Sequence, residues 1–187
     1  MGATQIITPR LELWLMTAEF MQESLAGTLA KDALEFTPHE RWLDESNFIQ
    51  VRERQYRKEP GYDSWGVWAI LQRDKRQMIG HIGFHTTPNA EYLRPYVADA
   101  VEFGFSVYPA YRSQGFATEA ARGLIDWATR EKQQRRFVVS ISPSNDHSQA
   151  IARKLGFVRI AEWEDDVDGT EVVFLLETAS PGDLSCE

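Results

Sequence analysis

Apolar residues at Leu11, Leu13 and Leu15 alternate with Glu12 and Trp14, the period of a half-buried strand. The period then lengthens to that of a helix over about Ala18 to Lys31 and again over about Glu40 to Lys58. The second stretch is highly charged and stops at Glu59-Pro60-Gly61, a helix-ending turn. Trp65 to Gln72 and Gln77 to His85 read as an antiparallel hairpin about the polar turn Arg73 to Arg76. A connection from Thr86 to about Asp99, with Pro88 and Pro95, follows; connections of this length inside a domain are usually functional or mobile. Ala100 to Val107 returns to strand alternation, with Val101, Phe103, Phe105 and Val107 on one face and Glu102, Gly104 and Ser106 on the other. The pattern closes with a helix over about Ala117 to Lys132, a short buried strand from Phe137 to Ile141 and a helix from Asn145 to Leu155. Gly156 stands at that helix's C-terminal cap, and two last strands, Phe157 to Glu164 and Glu171 to Glu177, flank Asp168-Gly169.

The order β-α-α-β-β-β-α-β-α-β-β predicts an α/β layered domain, a mixed sheet with helices on its faces. At 187 residues the chain accommodates one domain over 1–187, with a core of about 8–177 and a polar tail over 178–187. Hydrophobic residues make up 43% and charged residues 26%, ordinary values for a globular chain. The longest apolar runs, such as Val172 to Leu176, are too short to span a bilayer, and the N-terminus carries no basic-then-apolar signal, so no membrane association and a cytoplasmic location are expected. The single cysteine, Cys186, sits in the polar tail and reads as a thiol without a catalytic role. The net charge of −8 disfavours nucleic acid as a partner and mildly favours cationic substrates such as amines.

The segment Val107-Tyr108-Pro109-Ala110-Tyr111-Arg112-Ser113-Gln114-Gly115-Phe116-Ala117-Thr118 carries the candidate chemistry. A strand ends, a small-residue loop turns, and a helix begins, so unpaired N–H groups and the helix dipole converge on an anion site to which Arg112 adds a fixed charge. Physics alone leaves two readings, a phosphate-binding loop or an ordinary strand-to-helix turn. Arg112-Ser113-Gln114-Gly115-Phe116-Ala117 resembles the Arg/Gln-x-x-Gly-x-Gly/Ala signature of the GNAT superfamily of acyl-CoA-dependent N-acyltransferases. Asn145-Asp146-His147-Ser148 with Lys154-Leu155-Gly156-Phe157, and the opening Thr8-Pro9-Arg10-Leu11-Glu12-Leu13, resemble the RimJ/RimL-like branch that acetylates N-termini of ribosomal proteins. The resemblance covers about residues 8 to 177, in the family's order, with Ala117 in place of the second glycine.

The resemblance implies a mostly antiparallel sheet of about seven strands with helices on both faces, and acetyl-CoA as co-substrate. Its pantetheine arm would bond to the backbone near Phe105 and Val107, and its pyrophosphate would sit on Arg112, Ser113, Gln114, Gly115, Phe116, Ala117 and Thr118. Asn145 would also bond the arm, besides capping its helix, and Ser148 would protonate the leaving thiolate, against the alternative of a helix-surface serine. Glu102 is the first candidate for the base that frees the acceptor amine, since it falls within about one residue of the glutamate base of the histone-acetylating branch; a solvated or ion-paired strand carboxylate is the alternative. His81 and His85 share a strand face but lack a Cys/His/Asp cluster of ligand spacing, so no metal is expected. The implied acceptor is a primary amine on a protein N-terminus or small molecule, attacked directly in a ternary complex; the resemblance also allows a homodimer. The competing function is a sensor that binds acyl-CoA or an amine without turnover.

Overall fold

The computed structural model describes residues 5–30, 34–165 and 169–179, with the Asp165 side chain left aside; Cys186 and all but the first two residues of the polar tail lie outside this range. Eight strands are β1 (Gln5–Ile7), β2 (Leu11–Leu15), β3 (Val67–Gln72), β4 (Gln77–Phe84), β5 (Ala100–Val107), β6 (Arg136–Ile141), β7 (Val158–Asp165) and β8 (Gly169–Glu177). Five α-helices are α1 (Ala18–Ala26), α2 (Glu40–Asp44), α3 (Ser46–Lys58), α4 (Phe116–Glu131) and α5 (Asp146–Leu155). The strand order is β1-β2-β3-β4-β5-β6-β8-β7. The paired registers are antiparallel except for β5 with β6, which is parallel. This is the expected mixed, mostly antiparallel sheet, with Gln5–Ile7 as an additional strand. Among the described residues no helix is long and apolar enough to cross a membrane.

The chain condenses into two compact units, 1–87 with 105–124 and 88–104 with 125–187, so β5 and α4 each contribute to both. In the first unit, Leu11 and Leu13 of β2 are fully buried as their alternation requires. Glu12, the polar position between them, is buried as well, because Arg76 from the β3–β4 turn forms an ion pair with it. Helix α1 starts at Thr17, whose hydroxyl accepts from the Phe20 N–H at 3.1 Å. It stops five residues short of the predicted Lys31 end, where Gly27 enters the left-handed region and donates to the Glu23 and Ser24 carbonyls. The predicted helix over 40–58 breaks at Glu45, whose φ of −88° and ψ of 36° interrupt the ladder between α2 and α3. Met16, Phe20, Phe36, Trp42, Ile49 and Met78 form this unit's apolar centre.

In the second unit, β5 and β6 pair over Ala100–Glu102 with Arg136–Val138, and the register ends there although β6 runs on to Ile141. The long connection sends two side chains into this unit's core. Leu93 is fully buried and Val97 nearly so, packed with Ala100, Val138 and Val173, and the Asn89 N–H donates to the Ala100 carbonyl at 2.8 Å. Helix α5 ends at Gly156, φ 93°, whose N–H caps Ala152 and Arg153; this turns Phe157 inward to meet Phe103 edge-on at 6.1 Å.

Candidate active site

The end of β5 passes into a single 3₁₀ turn, Pro109–Tyr111, then a reversal before α4. Ser113 and Gly115 both adopt positive φ, 60° and 80°. Left-handed backbone at a serine is strained by roughly 1 kcal/mol or more and persists where the surroundings enforce it. The positive φ of Gly115 favours glycine there, while a Cβ would only make ordinary contact with Arg10 Nη2 at 3.4 Å. The first N–H groups of α4, from Phe116 to Thr118, have no intrahelical acceptor, and the Glu119 N–H closes the first full turn on Gly115 at 3.0 Å. Arg112 to Gly115 are exposed and Phe116 is buried, so the turn offers its backbone outward while the helix is anchored inward. The chemical result is a positive, donor-rich concavity suited to phosphate oxygens.

Residues more than a hundred positions upstream hold this turn. Glu119 Oε1 accepts from the Thr8 hydroxyl at 2.7 Å and from the Arg10 N–H at 2.8 Å. Arg10 Nε reaches Glu119 Oε2 at 2.6 Å, Arg10 Nη1 donates to the Gln114 carbonyl at 3.0 Å, and the guanidinium lies 4.5 Å over the Phe116 ring. Burial pushes the Glu119 carboxyl up, but the Thr8 and Arg10 donors and the Arg10 charge outweigh it, and the group ends below its ordinary value of 4.5. Thr8 to Arg10, read from sequence as the entry to a strand, form this clamp, and β2 begins only at Leu11. The sequence marked Arg10 only as part of the Thr8–Leu13 opening and did not mark Glu119, because only the tertiary fold joins the two.

Arg112 Nε donates to the Val107 carbonyl at 2.8 Å. The guanidinium therefore ties the loop to the strand end as well as offering charge, and the Val107 carbonyl is already engaged. Phe105 is half-buried and Val107 buried in the same unit, so the strand end and loop form one continuous segment.

The stretch of chain that builds this turn falls within a match to a known family. Residues 10–158 fit the family described as the Acetyltransferase (GNAT) domain. The chain belongs to the GNAT acetyltransferase family. This GNAT chain is 31% identical over 98 residues to the Bacillus subtilis uncharacterized N-acetyltransferase YjdG, spanning 52% of each protein. The chain thus spans about half the length of that curated relative. Its fold is that of RimL, the ribosomal L7/L12 alpha-N-protein acetyltransferase, with a TM-score of 0.64 at 15% identity over 95% of this chain and 96% of that one. It is also that of the microcin C7 self-immunity acetyltransferase MccE, solved with acetyl-CoA and AMP, with a TM-score of 0.60 at 15% identity over 91% and 94%. The family uses acetyl-CoA, and the donors of the Arg112–Thr118 turn fit its phosphates.

The other candidate residues of this GNAT chain fall in the second unit. Glu102 is 4% exposed and accepts a hydrogen bond from the Tyr92 hydroxyl at 2.7 Å, so it is not the solvated strand carboxylate that the alternation allowed. Tyr92 comes from the long connection; its ring meets Trp163 edge-on at 5.9 Å, and Tyr96 meets the same indole at 5.3 Å. Asn145 Oδ1 accepts from the Ser148 N–H at 3.1 Å, the N-cap geometry, and Ser148 is half-buried in the first turn of α5. In the first unit, His81 is buried with Nε2 2.6 Å from Glu45 Oε2, a pairing with no signal in the sequence. The backbone carbonyl of His85, just beyond β4, accepts from Gln55 Nε2 at 2.6 Å.

Proposed function

We propose that this chain transfers the acetyl group of acetyl-CoA to a primary amine, within the RimJ/RimL-like branch, on a protein N-terminus or a small molecule. The observation that carries the reading is the Arg112–Thr118 turn, a donor-rich anion site clamped by Arg10 and Glu119 in a GNAT family member. Phosphate contacts there fix one end of the acyl carrier, and the backbone of Phe105 and Val107 guides its arm. Likeness to the RimL fold supports a protein α-amine as acceptor, while the −8 charge suits a protein or a small-molecule amine alike.

The amine must lose a proton before it attacks the thioester carbon. Glu102 serves as the base in this reading: it is buried on β5, and the Tyr92 hydroxyl holds its carboxylate in one orientation. The amine nitrogen then bonds to the acyl carbon, and as the carbon–sulfur bond breaks the nitrogen's surplus proton passes through the Ser148 hydroxyl to the leaving thiolate, which leaves a neutral amide, a thiol and an unchanged serine. Asn145 keeps Ser148 in place by capping α5 and offers its amide to the carrier's arm. Holding both reactants together supplies much of the acceleration through proximity.

A steady-state assay with acetyl-CoA and a panel of amines, reading thiol release, tests the proposal. Amine-dependent thiol release supports it; acetyl-CoA binding without release from any amine assigns the chain to sensing instead.

A further inference from the structure

Three polar groups gather in the first unit, His81 and Tyr108 buried and Glu45 half-buried beside them. His81, 6% exposed on β4, places Nε2 2.6 Å from Glu45 Oε2 at the break between α2 and α3. The Phe48 ring lies against the imidazole at 4.4 Å, tilted by 32°, and Trp42 meets it edge-on at 5.8 Å. Tyr108, 2% exposed, follows β5 directly, and its hydroxyl has no hydrogen-bond partner among the described residues. A buried hydroxyl left unpaired is costly, so natural folds rarely retain one without a use. Burial pushes the Tyr108 hydroxyl far above its ordinary range, and the nearby Glu45 carboxylate adds to the push.

The backbone brings these groups to one place. The Tyr108 N–H donates to the Ile79 carbonyl at 2.9 Å, and Gly80 approaches β5 so closely that a Cβ would lie 2.1 Å from the Ser106 carbonyl oxygen. His81 is the next residue of β4. Glu45, Phe48 and His39 are half-buried around this floor, with the His39 ring 4.4 Å from Tyr108. A carboxylate, an unfilled phenol and aromatic faces at a partly open rim are what a primary ammonium needs: acceptors for its N–H groups, a counter-charge and a π surface. Tyr108 also stands four residues before the Arg112–Thr118 turn assigned to the acyl carrier, and the inference rests on that assignment.

We infer that Glu45, His81 and Tyr108 form the acceptor station, in which the Glu45 carboxylate and the Tyr108 hydroxyl receive the N–H donors of a primary amine and His81 holds Glu45 in place. Glu45 and Tyr108 would touch the acceptor; His81 is a positioning residue.

The test uses the full chain with saturating CoA and two probes, spermidine and a tetrapeptide with a free N-terminal amine. The nitrogen resonances of the His81 imidazole report on Glu45 directly. They are expected to shift on titration with at least one probe in the wild type and to stay unshifted in Glu45→Gln. Unmoved resonances in the wild type with both probes at millimolar concentration overturn the inference. With the probe that turns over, Glu45→Gln should raise its KM about tenfold and Tyr108→Phe severalfold, with the acetyl-CoA KM unchanged. Rescue toward the wild-type KM by Glu45→Asp separates recognition from packing. An unchanged acceptor KM in both folded variants refutes the station while leaving acetyl transfer intact, whereas failure of the wild type to bind acetyl-CoA in calorimetry refutes the proposed function itself.

Discussion

Arg10 Nε and Glu119 Oε2 stand 2.6 Å apart, although 109 residues separate them in the chain. The pair joins the turn before β2 to the first turn of α4, and Arg10 extends the link to the Gln114 carbonyl. A carboxylate in the first turn of a helix is favoured by the dipole, and here it also fixes the loop proposed to hold the acyl carrier's phosphates.

Glu119→Gln should therefore lower stability by about 1–2 kcal/mol near neutral pH, since it loses charge-assisted bonds from Thr8 and Arg10. The folded carboxyl lies below its ordinary value of 4.5, so its contribution is complete above the unfolded value and is lost as pH falls through the folded one. Urea midpoints of wild type and variant should differ at pH 7 and converge as pH falls through the folded carboxyl's lowered value. A constant difference across that range would contradict the assignment.

Gly115→Val should weaken acetyl-CoA binding by tenfold or more, a figure on the order of the strain of a β-branched residue at positive φ. Gly115 sits at φ 80° in an exposed turn, so the fold should survive. Calorimetric titration of the folded variant reads the affinity, and wild-type binding would remove Gly115 from the site.

Glu102→Gln should lower kcat on the order of a hundredfold and flatten the acidic limb of the pH–rate profile, with acetyl-CoA affinity kept. Tyr92→Phe removes the donor to the Glu102 carboxylate and should reduce kcat severalfold with the same profile shape. Wild-type turnover at every pH in Glu102→Gln would transfer the proton to another group.

Tyr56 serves packing alone. Its hydroxyl donates to the Met16 carbonyl at 2.7 Å and accepts from the Val67 N–H at 3.1 Å, tying α3 to β2 and β3. Tyr56→Phe should cost about 1–3 kcal/mol in a denaturant titration while leaving acetyl-CoA affinity unchanged. Equal losses of stability and affinity would place Tyr56 in the functional network instead.

The sequence was most legible where the cause of structure is local. The Val107–Thr118 turn is contiguous, its glycine carries the required φ, and the family signature falls on it. The Lys154–Phe157 block likewise explains itself through the Gly156 cap. Legibility failed where a distant partner decides. Glu45 breaks a periodic helix at the point where its side chain meets His81 from β4. The long connection carries few apolar residues, yet Leu93 and Val97 fill a core whose other walls come from β5, β6 and β8. Glu12 and Glu102 occupy polar slots of strand alternation and are nevertheless buried, because Arg76 and Tyr92 reach them from other segments. Periodicity reports which residues could face a core, and pairing across the chain decides which polar groups join them.

The central claim is transfer of the acetyl group itself. Acetyl-CoA carrying an isotopically labelled acetyl group, incubated with the full chain and the free-amine tetrapeptide or spermidine, should yield the label in an amide on the amine, with one thiol released per amide formed. The same mixture with Gly115→Val should give far less. Label that stays on CoA while the wild type binds it, or label trapped covalently on the protein with no amide formed, would contradict direct acetyl transfer to an amine.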